Sequence, residues 1–254
     1  MVYIFVSGGS FGIEEMVSSS GPGLTLLLLV TLPVFWAMPM ALAACELGSA
    51  MPNTGFYDWT KRALGPFWGF LSAWWWTLAT LVDTSLYVVL AANYLQGYVG
   101  FNQNLFYFAC WLVIGAFAVI NILGLRLVAL SSVIFSILII SPFLVLIIVG
   151  LANWQFNPFH PIVPPGQNLM GGDGALILGL SVGLWMYSGY ESLSTLSGEM
   201  RNSERIIPKA LMLALPFVAL MYVLPTLASL AAFGQWDRFG AVSYTHLRAH
   251  ETRS

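Results

Sequence analysis

The sequence predicts an all-α protein that crosses a membrane several times, and three observations carry that reading. Of its 254 residues, 58% are hydrophobic and only 8% are charged, and the mean hydropathy of +0.81 is one that no water-soluble domain of this size shows. The apolar residues fall in runs of roughly 18 or more, each long enough to cross the hydrocarbon of a bilayer as a helix. Two of these runs are interrupted by small and acidic residues, at Ser7–Glu15 (SGGSFGIEE) and at Tyr187–Glu191 (YSGYE).

In chain order the seven runs are Val2–Ser20, Leu24–Met51, Phe67–Tyr98, Leu105–Leu125, Leu127–Ala152, Ala175–Met200 and Ile207–Phe233. No Lys or Arg precedes the first and no small-residue cleavage site follows it, so it is expected to stay in the mature chain. Pro33 and Pro39 kink the second. The third exceeds the bilayer thickness and must tilt, and its Trp74-Trp75-Trp76 run reads as packing against neighbours. Cys45 and Cys110 both lie within apolar runs, so they read as small core residues and not as a disulfide framework or zinc site.

The connections set the expected orientation, because Lys and Arg concentrate in cytoplasmic loops. Lys61 and Arg62 follow the second run, Arg126 separates the fourth and fifth, and Arg201, Arg205 and Lys209 separate the sixth and seventh. The alternate connections Gly21–Gly23, Gly97–Asn104 and Asn153–Gly174 contain neither residue, and Arg238 alone departs from the pattern. The expectation is a multi-pass protein of the cell membrane with a cytoplasmic N-terminus. The proline-rich connection with Pro158, Pro161, Pro164 and Pro165 is then external, and its His160 reads as a solvated loop residue.

The interruptions are the functional signal. Glycine is poor in a helix interior, and an ionised acid at membrane depth is expensive. Non-helical backbone survives there only where it lines a protein-enclosed cavity or meets a ligand. Two such breaks in hydrophobic segments point to a transporter. Intramembrane acids are functional by default, and here they are Glu14 and Glu15 at the first break, Asp83 midway along the third run and Glu191 in the second break. Glu14 and Glu15 are adjacent on a helix and so cannot both face one ligand. Glu46 and Glu199, near the cytoplasmic ends, read instead as partners for Lys and Arg.

Other chemistries fit poorly. Gly8–Gly12 matches the G-x-S-x-G pattern of serine hydrolases, but it lacks the strand-turn-helix elbow and the histidine partner that give that pattern meaning. There is no HExxH motif, no phosphate-binding glycine loop and no basic surface for nucleic acid, and no cofactor or metal is implied. Val242–Ser254 (VSYTHLRAHETRS) turns abruptly polar, holds two of the three histidines and looks like one reading frame of a sequencing adapter. Residues 242–254 are therefore expected to be a non-native tail, and 1–241 the native part.

Together SGGSFGIEE, the GPG at Gly21–Gly23, the stretch Trp36–Phe70 (WAMPMALAACELGSAMPNTGFYDWTKRALGPFWGF), WMYSGYESLSTLSGEM at Trp185–Met200 and RNSERIIPKAL after it resemble the amino acid–polyamine–organocation permeases. The likeness is strongest to polyamine-uptake and L-type amino-acid transporters. It implies the LeuT-type fold of two inverted five-helix repeats, each with a broken first helix at the substrate site, here truncated after about seven helices. It also implies a longer first helix, which would make Met1 an internal methionine. The chain departs from polyamine-transporting relatives at Ser10, where they often have proline, and at Glu191, where they often have aspartate.

The expected function is secondary active transport of an amino acid or a polyamine by alternating access, coupled to protons or by exchange. At the first break the N–H groups around Ser7, Gly8, Gly9, Ser10 and Gly12 would receive a substrate carboxylate, since a half-helix N-terminus carries partial positive charge. The unwound carbonyls near Ser188 and Gly189 would receive an amino group. A polyamine has no carboxylate and would need acids, for which Glu14, Asp83 and Glu191 are the candidates. Trp185 matches an aromatic that in the family closes over bound substrate. Low-dielectric surroundings disfavour an ionised carboxyl, which makes Glu191 the expected proton-coupling group. A seven-helix receptor would place its N-terminus outside, and a structural membrane subunit would tolerate neutralising Asp83 and Glu191; these are the alternative readings.

Overall fold

The computed structural model describes residues 12–51, 54–171, 174–193 and 202–238, and among them all regular structure is helical. The chain divides into two compact units, one formed by residues up to Asn53 together with those from Ile134 onward, the other by Thr54–Val133.

In the first unit a short helix α1, Ile13–Ser20, is followed at once by α2, which runs from Pro22 to Ala50. The turn between them is possible because Gly21 adopts φ +85° and Pro22 opens the next helix, where its missing N–H is no loss. Midway, α2 widens into a π-helical turn over Pro33–Ala37, in which the Met38 N–H donates to Pro33 O. Pro33 and Pro39 explain the site of this turn: each deprives the carbonyl four residues earlier of its donor, and the helix widens where an i→i−4 ladder cannot be completed. The two prolines are thus accommodated as a π-helical bulge within one continuous helix.

The second unit begins with an element that the apolar runs do not reveal, the nine-residue α3, Phe56–Leu64. Asp58 at its third position accepts from the Gly55 N–H at 3.4 Å, Lys61 and Arg62 occupy its last turn, and Trp59 is buried with its indole N–H on Thr54 Oγ1 at 3.0 Å. Gly65 at φ +96° ends it, and Pro66 starts α4, Pro66–Val99. This helix has 34 residues, so at about 1.5 Å per residue it is longer than a hydrocarbon core of roughly 30 Å and requires the expected tilt. After it come α5, Gln103–Ile122, whose first turn is capped by Asn102 Oδ1 accepting from the Leu105 N–H at 3.0 Å, and α6, Leu125–Ala152, within which the division between the units falls.

The first unit resumes through α6, the proline-rich connection 153–174, then α7, Ala175–Met186, a 3-10 turn over 190–193, and α8, Ser203–Phe233. Gly150 lets α6 approach α8 closely, since a Cβ there would stand 2.6 Å from Ala228 O. Small residues at such contacts are how membrane helices pack when lipid removes the hydrophobic incentive to associate.

Within this unit the proline-rich connection and the start of α8 lie at opposite ends. At one end the Gly23 N–H donates to Pro161 O at 3.2 Å and the Leu24 N–H to Ile162 O at 3.0 Å, while the N–H groups of Gln155 and Phe156 both reach Ala231 O at 2.9 Å. At the other end the start of α8, with Arg205 and Lys209, lies beside the end of α2, where Ser49 Oγ is 3.2 Å from Glu204 O. Among the described residues five helices are long and apolar enough to cross a membrane: Pro22–Ala50, Pro66–Gly97, Gln103–Ile122, Arg126–Ala152 and Ser203–Phe233. They correspond to the second, third, fourth, fifth and seventh apolar runs. The first and sixth runs, the two with interruptions, contribute only the shorter α1 and α7 to the described residues.

Candidate functional site

The described end of the first interruption meets α7 just before the second. Gly12, which precedes α1 with φ +87°, has its Cβ position 3.1 Å from Val182 Cγ1 and 3.7 Å from the Trp185 ring. One turn further along α1 the side chain of Met16 lies over Gly183, at 3.4 Å, and at its end Ser20 Oγ lies over Gly179, at 2.7 Å from where a Cβ would stand. The order 12, 16, 20 against 185, 183, 179 means that α1 and α7 pack antiparallel. The start of α1 and the end of α7 therefore lie at one level. The spacing of Gly179 and Gly183 puts both on one face of α7, where they admit α1 together with Leu28 and Leu32 of α2.

At this level a helix N-terminus and a helix C-terminus stand side by side. The first four N–H groups of a helix lack intrahelical acceptors and carry partial positive charge, and the last carbonyls carry the opposite. In α1 the first turn holds Glu14 and Glu15, both exposed, where negative charge suits the helix end.

In α7 the i→i−4 ladder stops with the Tyr187 N–H on Gly183 O, 3.2 Å. Beyond it the Ser188 N–H and hydroxyl both turn back to Trp185 O, at 3.2 and 2.6 Å, Gly189 adopts φ +106°, and the Ser192 N–H bonds Gly189 O at 3.1 Å. Met186 O is served from another helix: it accepts from the buried Tyr222 hydroxyl of α8 at 3.3 Å. No backbone N–H among the described residues reaches the carbonyls of Tyr187 and Ser188. Three buried side-chain atoms are unpartnered among them, namely Glu191 Oε2, Tyr190 Oη and Ser20 Oγ.

Of the residues expected from the sequence, Gly12, Trp185, Ser188, Gly189 and Glu191 belong to this junction or to the turn that leaves it. Ser7, Gly8, Gly9 and Ser10 lie outside the described residues. Asp83 is half-buried on α4 of the second unit. What the sequence reading missed is the tyrosine frame around the break. Tyr187, Tyr190 and Tyr222 are all fully buried, and the rings of Tyr187 and Tyr222 meet edge to face at 5.3 Å. The Tyr187 hydroxyl donates to Leu29 O at 2.8 Å, the very carbonyl that Pro33 cannot serve. The proline was the available signal, since it announces a carbonyl in need of a donor. Its partner lies 158 residues away and could not be read from the pattern.

Comparison with known proteins agrees with this architecture. The family described as amino acid permease matches residues 1–237. The chain is 34% identical over 253 residues to the polyamine transporter PUT1 of Oryza sativa subsp. japonica, covering 93% of this chain and 44% of that protein. It is 32% identical over 235 residues to the polyamine transporter RMV1 of Arabidopsis thaliana, covering 91% and 47%. Against the serine/threonine exchanger SteT of Bacillus subtilis (strain 168) it is 30% identical over 191 residues, covering 72% and 41%. The chain thus spans about half the length of the curated relatives it matches. A match that takes in both helix breaks and nearly every helix between and after them leaves one conclusion: the chain is a multi-pass membrane protein and belongs to the amino acid permease family.

Proposed function

We propose that this protein is a secondary active transporter of amino acids or polyamines and that the junction of α1 with α7 is its substrate site. The observation that carries the proposal is the approach of Gly12 to Trp185, because it brings a helix N-terminus and a helix C-terminus to one level inside an apolar bundle. Substrates of both classes carry ammonium groups, for which the carbonyls of Tyr187 and Ser188, outside the backbone ladder, and the buried Glu191 Oε2 are suited. An amino-acid carboxylate would lie at the start of α1, where Gly12 presents backbone without a side chain. The names of the relatives, polyamine transporters and a serine/threonine exchanger, support both classes.

The pair of broken helices supports a LeuT-type scaffold in which α1 and α7 open two inverted repeats, the second continuing through helices beyond this chain. The native part would be residues 1–241, with 242–254 a foreign tail. The Lys/Arg alternation supports a cytoplasmic N-terminus in the cell membrane. Glu191 would couple uptake to protons, with Asp83 and Glu14 as further acids for a polyamine. The test is uptake into proteoliposomes by the protein at the length of its relatives, with labelled polyamines and amino acids offered separately across a pH gradient. Saturable uptake of one class, stimulated when the outside is more acidic, is expected. Folded protein that takes up neither class would contradict the proposal.

A further inference from the structure

We infer that Tyr187 and Tyr222 are positioning residues, which hold the break after α7 against α2 and α8 by donating to two main-chain carbonyls that have lost their i+4 donors. The inference rests on reading that break as the substrate site. Leu29 O loses its donor because Pro33 has no N–H, and the Tyr187 hydroxyl replaces it at 2.8 Å. Met186 O loses its donor because the helix stops there, and the Tyr222 hydroxyl replaces it at 3.3 Å. Both tyrosines are fully buried, as are Leu29 and Met186, so water offers no alternative partner. The two rings touch edge to face at 5.3 Å, which makes the pair one unit bridging three helices.

The same substitution recurs where the bundle has no break. Pro142 deprives Leu138 O, and the Ser141 hydroxyl lies 3.2 Å from it. Pro208 deprives Glu204 O, and the Ser49 hydroxyl of α2 lies within reach of it at 3.2 Å, as it does of Cys45 O at 2.7 Å. Tyr187 differs in consequence: its ring belongs to the first residue past α7, so the direction in which the chain leaves the helix is fixed by a carbonyl in α2. A shift of the π-helical turn in α2 and a change at the break must therefore accompany each other.

The deciding measurement is the rate at which a thiol reagent modifies Ser188→Cys in purified protein of the relatives' length, with Cys45 and Cys110 replaced by alanine. Tyr187→Phe, which removes a single oxygen, is expected to raise that rate about tenfold, the effect of leaving one buried acceptor unserved. Tyr222→Phe is expected to raise it in the same direction. Pro33→Ala supplies the missing N–H, so the double variant Pro33→Ala/Tyr187→Phe is expected to label within about twofold of Pro33→Ala alone. An unchanged rate in Tyr187→Phe would overturn the inference, and so would an equal increase with and without Pro33→Ala. Should Tyr187→Phe fail to fold, the double variant is expected to restore monodisperse protein, and its failure to do so would also overturn it. Labelling decides the matter without uptake. Absence of uptake from otherwise unaltered protein of the relatives' length would count against the transport reading alone.

Discussion

The Cβ position of Gly12 lies 3.7 Å from the Trp185 ring, with Val182 nearer still at 3.1 Å. Two segments more than 170 residues apart in sequence thus share one level of the bundle, and each leaves helical geometry there through a glycine of positive φ, Gly12 at +87° and Gly189 at +106°.

Gly12→Ala is expected to destabilise the protein by roughly 1–2 kcal/mol through the left-handed backbone alone, with a further cost from the Val182 contact. Substrate affinity should fall with it. Gly100→Ala provides the comparison, because Gly100 has φ +73° but nothing within 4 Å of its Cβ position. That variant should show the backbone cost in thermal unfolding and leave affinity unchanged.

Gly183→Ala is expected to force α1, α2 and α7 apart, since a Cβ would collide with Leu32 Cδ1 and crowd Met16 Cε at 3.4 Å. Overpacking of this kind costs typically about 1–3 kcal/mol. Thermal unfolding in detergent measures it, and the truncating change Leu32→Ala in the same chain should recover part of the loss.

Glu191→Gln is expected to leave substrate exchange partly intact while flattening the dependence of uptake on external pH. Glu191 Oε2 is buried with no partner among the described residues, and an ionisable group at membrane depth is functional by default. Uptake measured between about pH 5 and 8, where native proteins are generally most stable, checks this. A pH profile identical to that of the unaltered protein would remove Glu191 from the coupling role.

The alternation of charged connections predicts that cysteines placed at Lys61, Arg126 and Arg205 label only from the cytoplasm, and those at Asn102 and Gln167 only from outside. Within the first unit the connection bearing Gln167 is joined to Gly23 and Leu24, and the start of α8 is joined to Ser49 at the opposite end. Labelling of both sets from one side would contradict the alternation.

Much of this architecture is legible in the sequence. Small residues and an acid at membrane depth mark the sixth run as broken, and α7 ends at Met186 ahead of the turn at Gly189. Pro33 and Pro39 mark the π-helical bulge of α2 because the loss of an N–H is a local property of the residue. Packing partners are not legible, since nearly continuous apolar runs such as α7 carry no periodicity that singles out a buried face. Hence the opposition of Gly12, Met16 and Ser20 to Trp185, Gly183 and Gly179 could come only from the fold. The tyrosine donors stay hidden for the same reason: a proline identifies the needy carbonyl, not the distant hydroxyl that reaches it. The helix α3 escapes because its nine amphipathic residues fall below the length of a membrane span, although Asp58 near its start and Gly65-Pro66 at its end are the signals of a helix.

The central claim is that substrate occupies the junction of α1 and α7, and protection of Ser188→Cys by substrate tests it most directly. In protein of the relatives' length lacking Cys45 and Cys110, a saturating concentration of whichever polyamine or amino acid the protein takes up should slow thiol labelling at Ser188→Cys by about tenfold or more, as expected for a site at least about 90% occupied. Labelling at Gln167→Cys in the proline-rich connection should not change. Equal labelling of Ser188→Cys with and without substrate, in protein whose uptake still saturates, would contradict the account.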